Sequence, residues 1–222
     1  MKCGMLLLAF LFLAACKNQG EDKKPRFPLD LYITRINKTS GVRMYVNKIE
    51  IKDQVIINKF VEGDAIFGVN AGGVVSDEKI SFLNTDTASV ETLYNKKVVT
   101  HSDKQFIFRS IEQGRISSEH ARLIYNMNKY RSELGPPWYD GLFRVDNLMV
   151  GYGDYSEIEL SVYNYKIVKA HMFENYYGMG PYLYRSVASG KVFNEFDELY
   201  INSLTLTDTL AIEEYTYTFR SR

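Results

Sequence analysis

Cysteine is almost missing from this chain of 222 residues: Cys3 and Cys16 are the only two. Both lie at the extreme amino-terminal end, so neither can cross-link the body of the fold, which must be held by packing alone. Histidine is scarce, with His101, His120 and His171, and Trp138 is the one tryptophan. No G-x-S-x-G elbow, phosphate-binding loop, H-E-x-x-H pair, C-x-x-C pair or EF-hand loop occurs. The chemistries that announce themselves by such spacings are therefore absent from the sequence. Charge of one sign is lacking too, since 27 Lys and Arg balance 27 Asp and Glu. A neutral chain does not suit nucleic acid or a polybasic membrane contact.

What is present begins with Lys2 and the apolar run from Met5 to Ala15. That run is far short of the roughly 20 residues that span hydrocarbon, and it matches the core of a signal peptide. It closes on Leu13-Ala14-Ala15-Cys16. These four residues resemble a bacterial lipoprotein lipobox. The resemblance implies that residues 1–15 are a signal peptide that is cut away with Cys3, and that Cys16 carries a thioether-linked diacylglycerol. It also implies acylation of the new amino terminus. Each buried methylene contributes about 0.8 kcal/mol, so several acyl chains make a durable anchor. Lys17 rather than Asp follows the cysteine. By resemblance to lipoprotein sorting rules this implies the outer membrane, on its periplasmic or surface face.

Residues 16–28 then form a tether: Lys17 to Pro28 is polar, charged and punctuated by two prolines. Stretched out, it reaches about 40 Å. After it, apolar residues recur with period two, the pattern of half-buried strands. Leu29, Leu31 and Ile33 alternate, then Val42, Met44 and Val46; the parity slips at Asn47-Lys48, which predicts a bulge or turn. Further strands are expected at Val55 to Val61, Lys79 to Leu83, Gln105 to Arg109, Leu142 to Val150, Glu157 to Tyr163, Tyr165 to Phe173, Tyr182 to Val187, Leu199 to Leu206 and Tyr215 to Phe219. One helix is expected over about 117–134, with Leu123, Met127, Tyr130 and Leu134 on one face, Ser117 or Ser118 as N-cap and Gly135-Pro136-Pro137 as its stop. The fold class expected is mainly β, an antiparallel β-sandwich-like domain over 29–222 with that helix. Two β lobes, about 29–110 and 139–222, are the alternative.

Candidate chemistry is thin. His101-Ser102-Asp103 sets three triad residue types side by side, but adjacency does not supply triad geometry, and a turn is the simpler reading. His120 falls near the start of the expected helix, and His171 falls on a mixed strand face without the further ligands that a metal needs. No metal site or cofactor is expected. Glu157 and Glu159 project from one side of a strand, about 7 Å apart, a spacing that a carboxylate-dependent hydrolase could use. Aromatic residues cluster with turn formers in two places: Trp138 and Tyr139 after two prolines, and Tyr176, Tyr177, Tyr182 and Tyr184 around Gly178 and Gly180. Tyrosine-rich loops make contact surfaces of large area at small entropic cost. Asp86-Thr87-Ala88 and Asp208-Thr209-Leu210 resemble an O-glycosylation sequon of some Gram-negative periplasmic systems, which implies sugar on Thr87 and Thr209. The function expected is a lipid-anchored envelope protein without enzymatic activity, acting as a binding or accessory subunit for a protein partner or as a periplasmic neutraliser of a toxin. Binding of a glycan or small ligand through the aromatic clusters is the alternative.

Overall fold

A strand with one apolar and one polar face must curl around its apolar side to bury it, and most of this chain does so. A computed structural model describes residues 25–67, 78–90, 95–102, 104–113, 118–132, 138–139, 143–173, 182–193 and 195–222. They contain β1 (Leu29–Lys38), β2 (Arg43–Val46), β3 (Ile49–Ile51), β4 (Lys79–Phe82), β5 (Thr87–Val90) and β6 (Asn95–Ser102). After these come β7 (Gln105–Gln113), β8 (Trp138–Tyr139), β9 (Phe143–Asp154), β10 (Glu157–Phe173), β11 (Tyr182–Phe193) and β12 (Thr209–Arg220). Two helices, α1 (Gln54–Val61) and α2 (Ser118–Met127), and a 3₁₀ segment at Glu198–Ser203 complete the described elements. The mainly antiparallel, sandwich-like architecture anticipated from the alternation is the one observed.

The sheet closes on itself. In order, β1 pairs with β4, then β5, β6, β7, β9, β10 and β12 follow neighbour to neighbour, and β12 returns to β1. Closure removes the exposed edges that a curled sheet would otherwise carry. Leu31, Ile33, Ile80, Phe82, Val90, Phe106, Phe108, Ile158, Leu160 and Phe219 fill the inside as one buried cluster. Gly151 belongs there because a Cβ would lie 2.7 Å from Ile158 Cγ2. At the β9–β10 turn, Gly153 has φ +133°, and a Cβ would run into the carbonyl oxygen of Glu157.

β10 and β12 outrun this barrel. Glu157–Leu160 pairs with β9, whereas Tyr163–Phe173 pairs with β11. On β12, Tyr215–Arg220 pairs with β1, whereas Thr209–Ile212 pairs with β2. The overhanging halves form an open sheet in the order β11-β10-β12-β2-β3. Strands from 29–110 and 139–222 are thereby interleaved in one sheet. One face of the open sheet packs Tyr45, Tyr163, Tyr165, Ile167, Leu210 and Ile212 against Leu123 and Met127 of α2 and against Tyr200 and Leu204. On the other face, Lys166 Nζ donates to the Phe60 carbonyl at 2.7 Å and Asn164 Nδ2 to that of Ile66 at 2.6 Å, fastening α1 and the turn after it.

Several expected elements differ. Val55–Val61 is not a strand but lies in α1, because the side chain of Asp53 accepts from Val55 N and Ile56 N and caps a helix there. Leu199–Leu206 is not a strand either: Asp197 accepts from Leu199 N at 3.0 Å and starts the 3₁₀ segment, with Tyr200 and Leu204 buried and Leu199 and Leu206 exposed. The two strands expected around Asn164 are one, β10; the irregularity there is a register shift against β11. α2 is not the only helix, and it ends at Met127 rather than near 134, since Asn128 leaves it to bridge Phe196. Ser117 and residues 133–137 lie outside the described residues. The parity slip at Asn47-Lys48 is a two-residue turn with φ of 48° and 68°.

Candidate functional site

The sequence-predicted contact residues divide. Trp138 and Tyr139 form β8, paired with Arg144 and Phe143. Tyr182 and Tyr184 stand on β11 opposite Phe173 and His171 of β10. No described pairing joins β8 to β11. Tyr176, Tyr177, Asp103 and Cys16 lie outside the described residues. Thr87 opens β5 after the exposed turn at 83–86 and is half-buried. Thr209 opens β12 between Val46 and Val168, and the Asp208 before it is buried with its carboxylate accepting from Thr205 N at 3.0 Å. Ser102 ends β6 and Gln105 opens β7, so the histidine of the His101-Ser102-Asp103 string sits at a hairpin turn. His101 rests against the rings of Phe106 and Tyr155, at 4.6 and 5.1 Å.

Glu157 and Glu159 do face one side of β10, opposite Arg220 and Thr218. Glu157 is paired with Arg220, and Glu159 with Arg35 at 3.5 Å, their side chains 38% and 44% exposed. A general acid of a glycosidase needs a carboxyl desolvated in an apolar pocket, and neither has that setting.

The strongest constellation among the described residues is one that sequence spacing does not reveal. Where α2 ends, Lys129 N donates to the Glu195 carbonyl at 2.9 Å and Asp197 N to that of Met127 at 2.8 Å, strapping the 195–197 segment to the helix. Arg131 holds the strap from the other side through Asp197 and the Asn126 carbonyl. This fixes Glu195 in a buried position, with Lys129 Nζ at 3.5 Å and the Tyr152 hydroxyl in hydrogen-bond contact. Tyr152 in turn shares a 3.1 Å hydrogen bond with the Tyr130 hydroxyl. Beside them, Tyr163 of β10 meets Glu214 of β12, and Arg43 joins Glu198 at 2.8 Å.

Burial raises the Glu195 carboxyl above its ordinary range, with Glu214 adding to the effect, while Lys129 and Tyr152 oppose it. Burial likewise pushes Tyr152 and Tyr163 far above ordinary tyrosine. Tyrosines held in that state keep their protons at neutral pH; they donate hydrogen bonds but do not act as bases. Among the described residues no group of carboxylate, histidine or cysteine side chains could hold a metal ion.

A second polar group, buried at Glu213 and partly exposed at Lys38, lies where the barrel meets the open sheet. A bulge between Ile33 and Arg35 switches the inward parity of β1, so that Lys38 follows Ile36 on the core side. Lys38 thereby reaches Glu213, which is 0% exposed and also bonded to Tyr215.

The wall of the molecule is thus a closed antiparallel barrel that shares two strands with an open sheet, with polar networks at the junction. No family model, curated protein or solved structure matches the chain.

Proposed function

We propose that this chain is a lipid-anchored protein of the bacterial cell envelope, attached through Cys16 to the outer membrane on its periplasmic or surface face. There it acts as a non-enzymatic binding or accessory subunit for a protein partner, the neutralising of a toxin in the periplasm included. The observation that carries this reading is Leu13-Ala14-Ala15-Cys16 directly after a short apolar run with Lys2 before it. The polar stretch Lys17 to Pro28 supports it, since a tether lets a folded body stand off a bilayer. Further support comes from Glu157 and Glu159, each spent on an arginine in solvent.

Affinity purification of the full-length protein from gently solubilised native membranes, beside a Cys16→Ser control, tests it. A stoichiometric protein partner that the control retains far less well is the expected result. A chain that binds nothing from membranes would instead favour glycan or small-ligand binding through Trp138, Tyr139 and the Tyr176 to Tyr184 segment. That second reading is favoured by the aromatic register of Tyr182 against Phe173. It predicts that Trp138→Ala with Tyr177→Ala abolishes glycan retention.

A further inference from the structure

Three large apolar side chains left exposed fall close together: Ile49 is 64% exposed, Val55 76% and Ile56 49%. The cap at Asp53 accounts for the last two. It starts α1 so that Ile57 is the buried residue. With 3.6 residues per turn, Val55 and Lys59 then point away from Ile57, with Ile56 at their side. Register carries Ile49 to the same face of the open sheet. Ile51 stands opposite Met44, Met44 opposite Ala211 and Ala211 opposite Lys166, whose Nζ holds the Phe60 carbonyl of α1. Ile49, two residues before Ile51, shares that face.

Lysines border this patch: Lys48, Lys52 and Lys59 are all exposed. The acids close by in sequence are turned elsewhere. Asp53 accepts from Val55 N at 2.8 Å and from Ile56 N, Glu50 stands opposite Tyr45 and so points to the other face, and Glu62 lies past the helix at its C-cap.

We propose that the Val55, Ile56 and Lys59 face of α1, together with Ile49, rests in the headgroup layer of an anionic bilayer. The body thereby gains a second membrane contact besides its lipid. The inference rests on the reading of the chain as lipid-anchored and adds how the body lies on that membrane. Exposed apolar patches mark protein or membrane contacts. Protein interfaces concentrate Tyr, Trp and Arg and are poor in Lys, whereas this patch holds none of those three and is bordered by lysine. At a bilayer the lysine stems lie along apolar surface while their ammonium groups meet lipid phosphates. The chain as a whole is neutral, so the contact is local and led by Val55, Ile56 and Ile49 rather than by a polybasic run. A second copy fits poorly, because a two-fold contact sets the lysines of one copy against those of the other.

Reach fits as well. β1 enters the barrel with Tyr32 opposite Arg220, and β12 runs from there back to Thr209, opposite Val46, which in turn stands opposite Ile49. At about 3.3 Å per residue that path is roughly 36 Å, within the span of about 40 Å that Lys17 to Pro28 covers when stretched.

The test places an environment-sensitive dye on Val55→Cys of the full-length, lipidated protein, reconstituted through its anchor in phosphatidylcholine vesicles containing phosphatidylglycerol. The same dye on Leu199→Cys is the comparison, because Leu199 is equally open to solvent but follows Glu198, which pairs with Arg43 on the opposite face of the open sheet. A blue shift and quenching by lipid carrying a doxyl group near its headgroup are expected at position 55 and not at 199. Lys52→Glu with Lys59→Glu is expected to weaken the contact about tenfold, as is the omission of phosphatidylglycerol. An unchanged thermal unfolding curve shows that the charge-reversed variant folds. Equal quenching at the two positions, none at 55, or quenching unaltered by charge reversal overturns the proposal. Shielding of the position 55 dye in detergent by a protein partner or by a second copy, without lipid, overturns it as well. If the protein floats with the vesicles while the position 55 dye stays in water, the contact fails and the anchor reading stands; if the protein does not float with them, that reading fails itself.

Discussion

The barrel half and the open-sheet half of β10 show how one strand serves two environments. From Glu157 to Val162 the inward residues are apolar and the others, Glu157, Glu159 and Ser161, are wet, because that half has a core on one side and solvent on the other. From Tyr163 to Ile167 the strand carries buried Tyr163, Asn164, Tyr165 and Ile167 in near succession, because α1 covers one face and α2 with the 3₁₀ segment covers the other. The lesson is that alternation reports one-sided burial; where both faces are covered it vanishes, and polar side chains enter to satisfy the helices packed there.

That comparison can be broken first at the barrel core. Phe106→Ala removes a ring packed against Phe82, Phe108 and Tyr155 and is expected to cost about 3–5 kcal/mol in urea unfolding. Because both halves hang on the same two strands, Phe106→Ala and Tyr165→Ala are expected to shift one common transition, followed by far-UV dichroism and tyrosine fluorescence together. Two separate transitions would divide the molecule into independent halves.

A somewhat smaller effect is expected at the junction. Lys38→Ala removes a partly exposed cation that meets the buried Glu213 carboxylate, at a cost of about 2 kcal/mol, whereas Lys38→Met with Glu213→Leu recovers most of the loss. If the double variant is no more stable than the single one, the pair does not act as a unit.

The smallest effect is one of pH. Glu195 has a raised folded pKa, so its contribution to stability is full below the ordinary value of 4.5 and is lost as pH rises through the higher folded value. Asp30 and Asp154 behave oppositely: hydrogen bonds from Ser81 and Ser156 lower them from 3.8, so their contributions are present above that value and lost on acidification through the lower one. Thermal unfolding of Glu195→Gln against wild type, scanned upward from pH 4, should show wild type losing ground as pH rises; parallel curves would remove Glu195 from the account.

Much of the barrel was legible in the sequence because its strands are apolar on one side only: Leu29, Leu31 and Ile33, or Ile158 and Leu160, declare their inward face directly. The inward Lys38 was not, since the bulge at Thr34 reverses the parity of β1. α1 is hidden behind Val55, Ile56 and Ile57, whose β-branched side chains read as strand, while the cap at Asp53, itself visible in the sequence, decides for a helix. The Glu195 network could not be foreseen, for its members at 129, 130, 152 and 195 are brought together only by the strap between α2 and the 195–197 segment.

Attachment by lipid at Cys16 is put to the test by metabolic labelling with an alkyne fatty acid. Label is expected to enter the wild-type protein, the mature chain to begin at Cys16, and Cys16→Ser to take up no label and accumulate as the uncut precursor. A wild-type protein without label, or label that persists in Cys16→Ser, would contradict it.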